Sequence, residues 1–519
     1  MTELLGNLGS GFANALTLTN LAAGFTGVVL GTAVGVLPGL GPSVAISLLL
    51  PVTFGLDPTT AFIMFGGIYY GAMYGGAITA ILINTPGDAS AAVTTIDGYK
   101  MARSGRAGPA LATSMIGSFV AGTLGTVLLM LLAPLLVNAA LVFGPPEYFA
   151  LMLLALACVG GLGGQRPAKA VIAVSIGLLI AMIGIDLQTG VTRFTFGLPH
   201  LAGGISVVVA AIGLFAVGEV LWMASQAHST SHKAVEIGRL TMSRDDWRRS
   251  WPAWLRGSFL GFGTGILPGT GGTFATFMSY GVERSVSRRP EEFGRGAIEG
   301  VAGPEAANNA AAAGAMVPLL GLGIPGSATT AVMLAAFQMY GITPGPLLFT
   351  EQSSLIWTMI ASLYIANVLL LVLNLPLVGI WVKVLAIPRP MLAGVVVLFA
   401  MVGAYSLNGS RADVLTVCAL GALGFGLRYA GFSLGPVLLG IVLGPLIEQE
   451  FRRALAMSGG DFSVFVSRPI ALAILLLSLL VMSVPFIRGR RRSAPGAPPV
   501  PAVNDAPATA KIQSSESSS

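Results

Sequence analysis

Gly35-Val36-Leu37-Pro38-Gly39-Leu40-Gly41-Pro42-Ser43 interrupts an apolar stretch that otherwise runs from 22 to 50. A Pro-Gly pair ends a helix there, because proline supplies no amide hydrogen and restricts the residue before it. The phrase returns as Gly265-Ile266-Leu267-Pro268-Gly269-Thr270-Gly271-Gly272-Thr273 inside the apolar stretch 255–281. Each copy is approached by glycines four apart, Gly27 and Gly31 before Gly35, and Gly257 and Gly261 before Gly265. A second phrase follows in each half: Asn84-Thr85-Pro86-Gly87-Asp88-Ala89-Ser90, then Gly323-Ile324-Pro325-Gly326-Ser327-Ala328-Thr329. From Gly39 to Gly269 the offset is 230 residues, and from Gly87 to Gly326 it is 239. Order and spacing are both kept, so the chain carries one unit twice.

The surroundings say in which solvent that unit folds. Of 519 residues, 54% are hydrophobic and 10% charged, with a mean hydropathy of +0.82. A soluble protein carries about 25% charged residues, so this chain is read as a polytopic membrane protein. The 69 glycines follow no triplet period, which excludes collagen. Cys158 and Cys418 are too few for a disulfide framework, and none of His200, His228 and His232 has a second ligand at metal spacing. No cofactor and no metal are expected. The net charge of +6 lies in loops without interleaved aromatics, so nucleic acid is not expected as a partner. The N-terminus lacks a basic leader and is expected to be mature from Met1, whereas 493–519, rich in Pro, Ala and Ser, is expected to be disordered.

Apolar runs at 58–84, 108–137, 146–163, 169–186, 204–224, 296–322, 347–380, 391–407, 412–428, 433–447 and 466–487 predict about 11 full spans, each needing about 20 residues. Basic loops favour the cytoplasm. The strongest clusters are Lys233/Arg239/Arg244/Arg248/Arg249 and Arg488/Arg490/Arg491/Arg492. Because 255–281 has basic flanks on both sides, it is read as a re-entrant hairpin turning at Pro268-Gly269. The scheme puts Lys100/Arg103/Arg106 and Lys383/Arg389 inside and leaves Arg411 and Arg452/Arg453 outside, against the rule.

Charge around the two copies is antisymmetric. Residues 51–57 and 341–346 hold no Lys or Arg, while their counterparts after the other copy hold Arg284, Arg288, Arg289 and Arg295, or Lys100, Arg103 and Arg106. That pattern predicts inverted-topology repeats. The expected organisation is a first repeat over 1–224, a basic loop over 225–256, a second repeat over 257–464, an extra span over 465–487 and a basic tail over 488–519.

A helix broken inside the bilayer frees backbone groups that lipid cannot satisfy, so such backbone lines a cavity or is buried by protein. Helices restarting at Pro42-Ser43 and near Gly272-Thr273 would point amide hydrogens and a positive dipole end into that space. The candidate anion cradle is Pro38, Gly39, Gly41 and Ser43 with Pro86 and Gly87, and Pro268, Gly269, Gly271 and Thr273 with Pro325 and Gly326. Asp88 and Ser327 have two readings, helix capping or lining the cavity, where Asp88 would serve a coupling cation or proton. Asn84, Thr85, Ser90 and Thr329 add neutral oxygens. Pro304-Glu305-Ala306-Ala307-Asn308-Asn309 sets a carboxylate and two amides in an Ala-rich span. Glu305 is then a coupling-ion ligand or an interfacial partner for Arg295. Asp186 and Arg193 are expected in an external loop, solvated or forming a docking contact. Gly321-x-Gly323-x-x-Gly326 matches a dinucleotide fingerprint but lacks the strand before it. No nucleophile–base pair marks an enzyme; a channel with re-entrant helices is the closer rival.

Tyr74-Gly75-Gly76-Ala77 through Ile81-Leu82-Ile83-Asn84-Thr85-Pro86-Gly87-Asp88, Gly35 to Gly41, Pro304 to Ala310 and Arg193-Phe194-Thr195-Phe196-Gly197 together resemble the large membrane subunit of tripartite tricarboxylate transporters, the TctA family. The likeness runs from about Leu21 to Phe451. It implies a permease in a bacterial inner membrane that imports organic carboxylates by symport with Na+ or H+. It also implies a periplasmic solute-binding protein (TctC-like) and a small membrane subunit (TctB-like) as partners.

Overall fold

A computed structural model describes residues 2–162, 167–186, 188–225 and 235–491; Arg166, Lys233, His228, His232 and the tail from Arg492 lie outside the described residues. Short helical turns aside, the first half comprises α1 (Thr2–Ala15), α2 (Leu18–Gly35), α3 (Pro42–Leu49), α4 (Pro58–Ile83), α5 (Thr94–Met101), α6 (Ala107–Ala140), α7 (Pro145–Leu162), α8 (Pro167–Ala181) and α9 (Val207–Ser225). The second comprises α10 (Arg244–Ile266), α11 (Gly271–Val286), α12 (Glu299–Leu322), α13 (Ala328–Met339), α14 (Ser353–Asn374), α15 (Arg389–Asn408), α16 (Arg411–Tyr429), α17 (Leu434–Met457) and α18 (Pro469–Arg491). Among the described residues, the strand structure is a two-residue pair, Gly184–Ile185 with Thr192–Arg193. The protein is an all-α polytopic membrane protein.

Among the described residues, eight helices are long and apolar enough to cross a bilayer; α7, α8 and α18 contribute shorter apolar segments. The run 296–322 forms α12, whose Glu299 and Glu305 and many small residues leave it outside those eight. It lies inside the protein, not against lipid: every residue from Glu299 to Leu322 is buried.

The glycine ladders fix the geometry. A Cβ on Gly27, Gly31 or Gly35 would collide with the backbone of Met64, Ile68 or Ala72, respectively, and one on Gly257, Gly261 or Gly265 with that of Gly303, Ala307 or Ala311. Small residues four apart let the backbones touch. In both cases the numbers rise together, so α2 runs parallel to α4, and α10 parallel to α12. Parallel neighbours require the chain between them to come back to its starting side. Each Pro-Gly break is therefore the tip of a re-entrant hairpin.

The hairpin bases are tied by different chemistry. In the first, Thr60 Oγ1 donates to Asn20 Oδ1 at 2.7 Å. In the second, Arg249 reaches Glu292 at 2.5 Å and Glu299 at 2.6 Å, and Arg256 pairs with Glu283 at 2.5 Å.

The two halves are inverted. At the start of α4, the Thr53 carbonyl accepts from the Tyr340 hydroxyl at 2.7 Å, which brings the uncharged loops 51–57 and 341–346 together. The far end of α4 is about 39 Å away along 26 residues. There the Leu82 carbonyl accepts from the Val235 amide. Lys100 donates to the Gly294 carbonyl, and Arg106, Asp246, Arg249, Arg289 and Arg295 surround a cavity of about 700 Å³. α12 runs the opposite way: it starts at that charged end, and near its finish the Gly345 amide bonds the Leu320 carbonyl. Each half also packs its central helix on the other half's next one, α4 on α14 and α12 on α6.

Candidate functional site at the tips of the broken hairpins

Local chemistry sets each break. Beyond α2, Gly39 takes φ +86°, and beyond α10, Gly269 takes φ +81°, values that favour glycine. α3 restarts with Gly41 as its N-cap and Pro42 in the first turn, where a missing amide hydrogen costs nothing. α11 restarts at Gly271, also at positive φ (+61°). The second phrases end α4 and α12 in the same way: Asn84 (φ +57°) and Gly323 (φ +69°) are left-handed caps.

Each second phrase then folds back onto its own break. The Gly87 Cα side lies against the Gly35 carbonyl and Gly76, and that of Gly326 against the Gly265 carbonyl and Ala315. The Gly269 amide donates to the Gly326 carbonyl at 2.9 Å. Asp88 stands over Gly41, its Cβ 2.8 Å from where a Gly41 side chain would begin. The Asp88 carboxylate accepts from Ser90 Oγ at 2.7 Å and from the Ala91 amide at 3.2 Å. Ser327 caps α13 with Thr330 in a reciprocal box, its Oγ accepting from the Thr330 amide at 3.2 Å.

The two halves meet where α11 begins. A side chain on Gly272 would run into Asn308 Oδ1 at 2.6 Å and Ser90 Cβ at 3.2 Å. Gly41, Gly76, Asp88, Ser90, Gly272 and Asn308 thus form one cluster. Around it Gly41, Gly87, Ser90, Pro268, Pro325, Gly326, Thr329, Asn308 and Asn309 are buried, while Pro38, Gly39, Ser43, Pro86, Asp88, Gly269, Gly271, Thr273 and Ser327 are partly exposed. Nothing stands within 4 Å of the Gly271 side-chain direction. Asn84 is exposed, and Thr85 bonds back to α4 through the Ile83 and Thr79 carbonyls.

Glu305 is 1% exposed. Thr94 Oγ1 donates to its Oε1, while Oε2 has no partner among the described residues. The alternative of an interfacial pair with Arg295 is overturned by that burial; the guanidinium of Arg249 engages the nearer carboxylate, Glu299. Asn309 donates to Ser118 Oγ at 2.7 Å; among the described residues its oxygen and both polar atoms of Asn308 lack partners.

Asp186 is buried, not solvated, and both it and Arg193 are held within the chain: Arg452 pairs with Asp186 at 2.8 Å and Arg193 with Glu448 at 2.8 Å, tying the 184–193 hairpin to α17. Arg453 pairs with Glu450 at 3.0 Å; because the charge rule counts basic residues and not net charge, Arg452 and Arg453 stay exceptions to it.

Sequence reasoning missed the pair beside Gly39. Glu219 on α9, 4% exposed, pairs with Arg428 on α16, and Glu219 Oε1 lies 2.8 Å from where a Gly39 side chain would begin. Arg428 also stacks over Trp222 at 4.8 Å. The available signal was an ionisable residue inside each of two apolar runs. Asp97 went unremarked too; it accepts from the Tyr280 hydroxyl at 2.8 Å and the Gly296 amide at 2.7 Å, fixing the start of α12.

Paired re-entrant hairpins, inverted and joined at an interior polar cluster, define a polytopic membrane protein whose broken helices meet inside it, and the family match makes it a transporter component. The chain belongs to the tripartite tricarboxylate transporter TctA family, whose model matches residues 21–439. It is 49% identical over 494 residues to an uncharacterized 52.8 kDa protein of the TAR-I ttuC′ 3′ region of Agrobacterium vitis, covering 95% of this chain and 98% of that one. A second relative, from the TAR-II ttuC′ 3′ region of the same organism, is 50% identical over 230 residues, 44% of this chain and 95% of its own. No solved structure matches the chain.

Proposed function

We propose that this protein is the permease subunit of a binding-protein-dependent secondary transporter that imports tricarboxylates or related organic carboxylates by cation symport. Its place is the bacterial inner membrane, with a periplasmic solute-binding protein and a small membrane subunit as partners. The halves 1–224 and 257–464, linked by 225–256, move relative to each other around the site, and 465–487 is an added span. The observation that carries this reading is the convergence of two helix breaks at Gly41, Asp88, Ser90, Gly272 and Asn308.

The reading rests on two physical arguments. Helix starts at the breaks present unpaired amide hydrogens and the positive end of a dipole, which attract a carboxylate without the desolvation of a lysine or arginine. Asp88 and Glu305 have no cationic partner among the described residues. A carboxylate held inside a membrane protein needs a proton or cation to neutralise it. That requirement links the anion to a coupling ion, Na+ or H+.

The test is counterflow of labelled citrate in proteoliposomes carrying the protein with both partner subunits. Saturable exchange that depends on the binding protein and accelerates with an inward Na+ or H+ gradient supports the reading. Ohmic conductance without the binding protein supports a channel and overturns it. Uptake indifferent to both gradients removes the coupling claim.

A further inference from the structure

The repeat offsets allow the two breaks to be compared residue by residue. With the hairpin offset of 230, Gly272 corresponds to Pro42; with 239, Asn308 corresponds to Tyr69, Ser90 to Thr329 and Asp88 to Ser327. Each exchange points the same way. At the start of α11 the position carries an amide hydrogen and no side chain, whereas at the start of α3 the equivalent residue is proline, with neither a hydrogen nor free space. Asn308 is 1% exposed, with Oδ1 facing Gly272 and both polar atoms unpartnered among the described residues; its counterpart Tyr69 is a buried aromatic residue. The α3 start already has a carboxylate of the chain, Asp88, standing over Gly41. At the α11 start no carboxylate lies against the backbone: Asp88 reaches it only through Ser90 Oγ, and the equivalent capping residue, Ser327, is neutral.

From this asymmetry we infer that the two cradles are unequal: the start of α11, with Asn308 and Ser90, is the carboxylate subsite for the transported anion. The inference rests on the transport reading and sharpens it. A buried amide with no partner normally costs stability; Asn308 presents Oδ1 to Gly272, and with that amide turned about its last torsion a substrate carboxylate accepts from Nδ2 and from the amide hydrogens of the first turn of α11, a helix of 16 residues. Ser90 Oγ, hydrogen-bonded to Asp88 at 2.7 Å, stands between that subsite and the carboxylate of the first half. It separates the bound anion from Asp88.

The test uses citrate exchange in proteoliposomes holding all three subunits, with citrate varied on the side opposite the binding protein so that it loads the permease directly. Asn308→Ala is expected to raise the half-saturating citrate concentration about ten- to hundredfold, the range for losing one charge-assisted hydrogen bond. Gly272→Ala, whose methyl displaces Asn308, is expected to do the same. Tyr69→Phe is expected to stay within about twofold of wild type, since no substrate contact is placed there. Purified Asn308→Ala is also expected to melt no lower than wild type, because it removes an unpartnered buried amide.

Wild-type half-saturation in both Asn308→Ala and Gly272→Ala overturns the inference, as does a rise confined to Tyr69→Phe; in those cases transport itself stands. A large fall in the melting temperature of Asn308→Ala overturns it as well, making the residue structural. Wild-type vesicles that exchange no citrate overturn the transport reading together with it.

Discussion

Arg428 brings a formal positive charge to within 3.9 Å of the side-chain position of Gly39, and Glu219 takes it up. Removing one member of such a pair strands the other in a poorly solvated place, whereas replacing both removes the desolvation cost as well. Arg428 is 30% exposed on its side chain, so the effect is smaller than for a fully buried pair. Arg428→Met is expected to destabilise by about 1–3 kcal/mol, and Glu219→Leu with Arg428→Met by less than Arg428→Met alone. Thermal melting in detergent measures both; a double variant worse than the single one contradicts the assignment. Asp186 behaves differently because it lies in a loop. The Gln188 amide first, then Arg452 and the Thr189 amide, hold its carboxyl at about 2, below the ordinary value near 3.9. A lowered carboxyl contributes stability that is complete above about pH 4 and lost as pH falls through about 2. The melting-temperature gap between wild type and Asp186→Asn is therefore expected to hold from pH 7 to 5 and to close between pH 4 and 2. A gap that persists at pH 2 contradicts the network's role.

At the scale of elements, contact between α2 and α4 and between α10 and α12 depends on having no side chain at the ladder positions. Gly31→Ala puts a carbon 2.5 Å from the Ile68 carbonyl oxygen, and Gly261→Ala drives one into Ala307. Each is expected to cost at least about 1–3 kcal/mol, the range for overpacking. Gly263→Ala, with nothing within 4 Å, is expected to be neutral or slightly stabilising by helix propensity. Equal melting temperatures for all three would remove the close-packing account. These elements are legible in the sequence, because Pro-Gly and the four-residue glycine spacing have direct backbone consequences. Capping of α13 by Ser327 was legible for the same reason. The Glu219–Arg428 pair was not, since its members lie 209 residues apart in unrelated runs, each near the expected end of a span. Likewise nothing in the local pattern around Asp186 announces Arg452, which only the fold of α17 brings near.

For the whole molecule, inversion follows from opposite running directions of α4 and α12, and the charge antisymmetry of the loops anticipated it because basic segments resist translocation. Single cysteines at Val52, 41% exposed, and at exposed Arg288, in a background without Cys158 and Cys418, are expected to label from opposite sides of the membrane. Labelling from one side refutes the inversion. Thr53 is unsuitable for that purpose, being fully buried beneath Tyr340. What the charges could not show is the inequality of the two halves, because it arises from single exchanges, Gly272 for Pro42 and Asn308 for Tyr69, within otherwise matching phrases. The most direct measurement of the central claim is an electron-microscopy map of the complete complex with citrate at saturating concentration. The account predicts anion density within hydrogen-bonding reach of the first-turn amides of α11, in a space open to one side of the membrane. Both breaks closed off by dry protein, with citrate bound elsewhere, would contradict it.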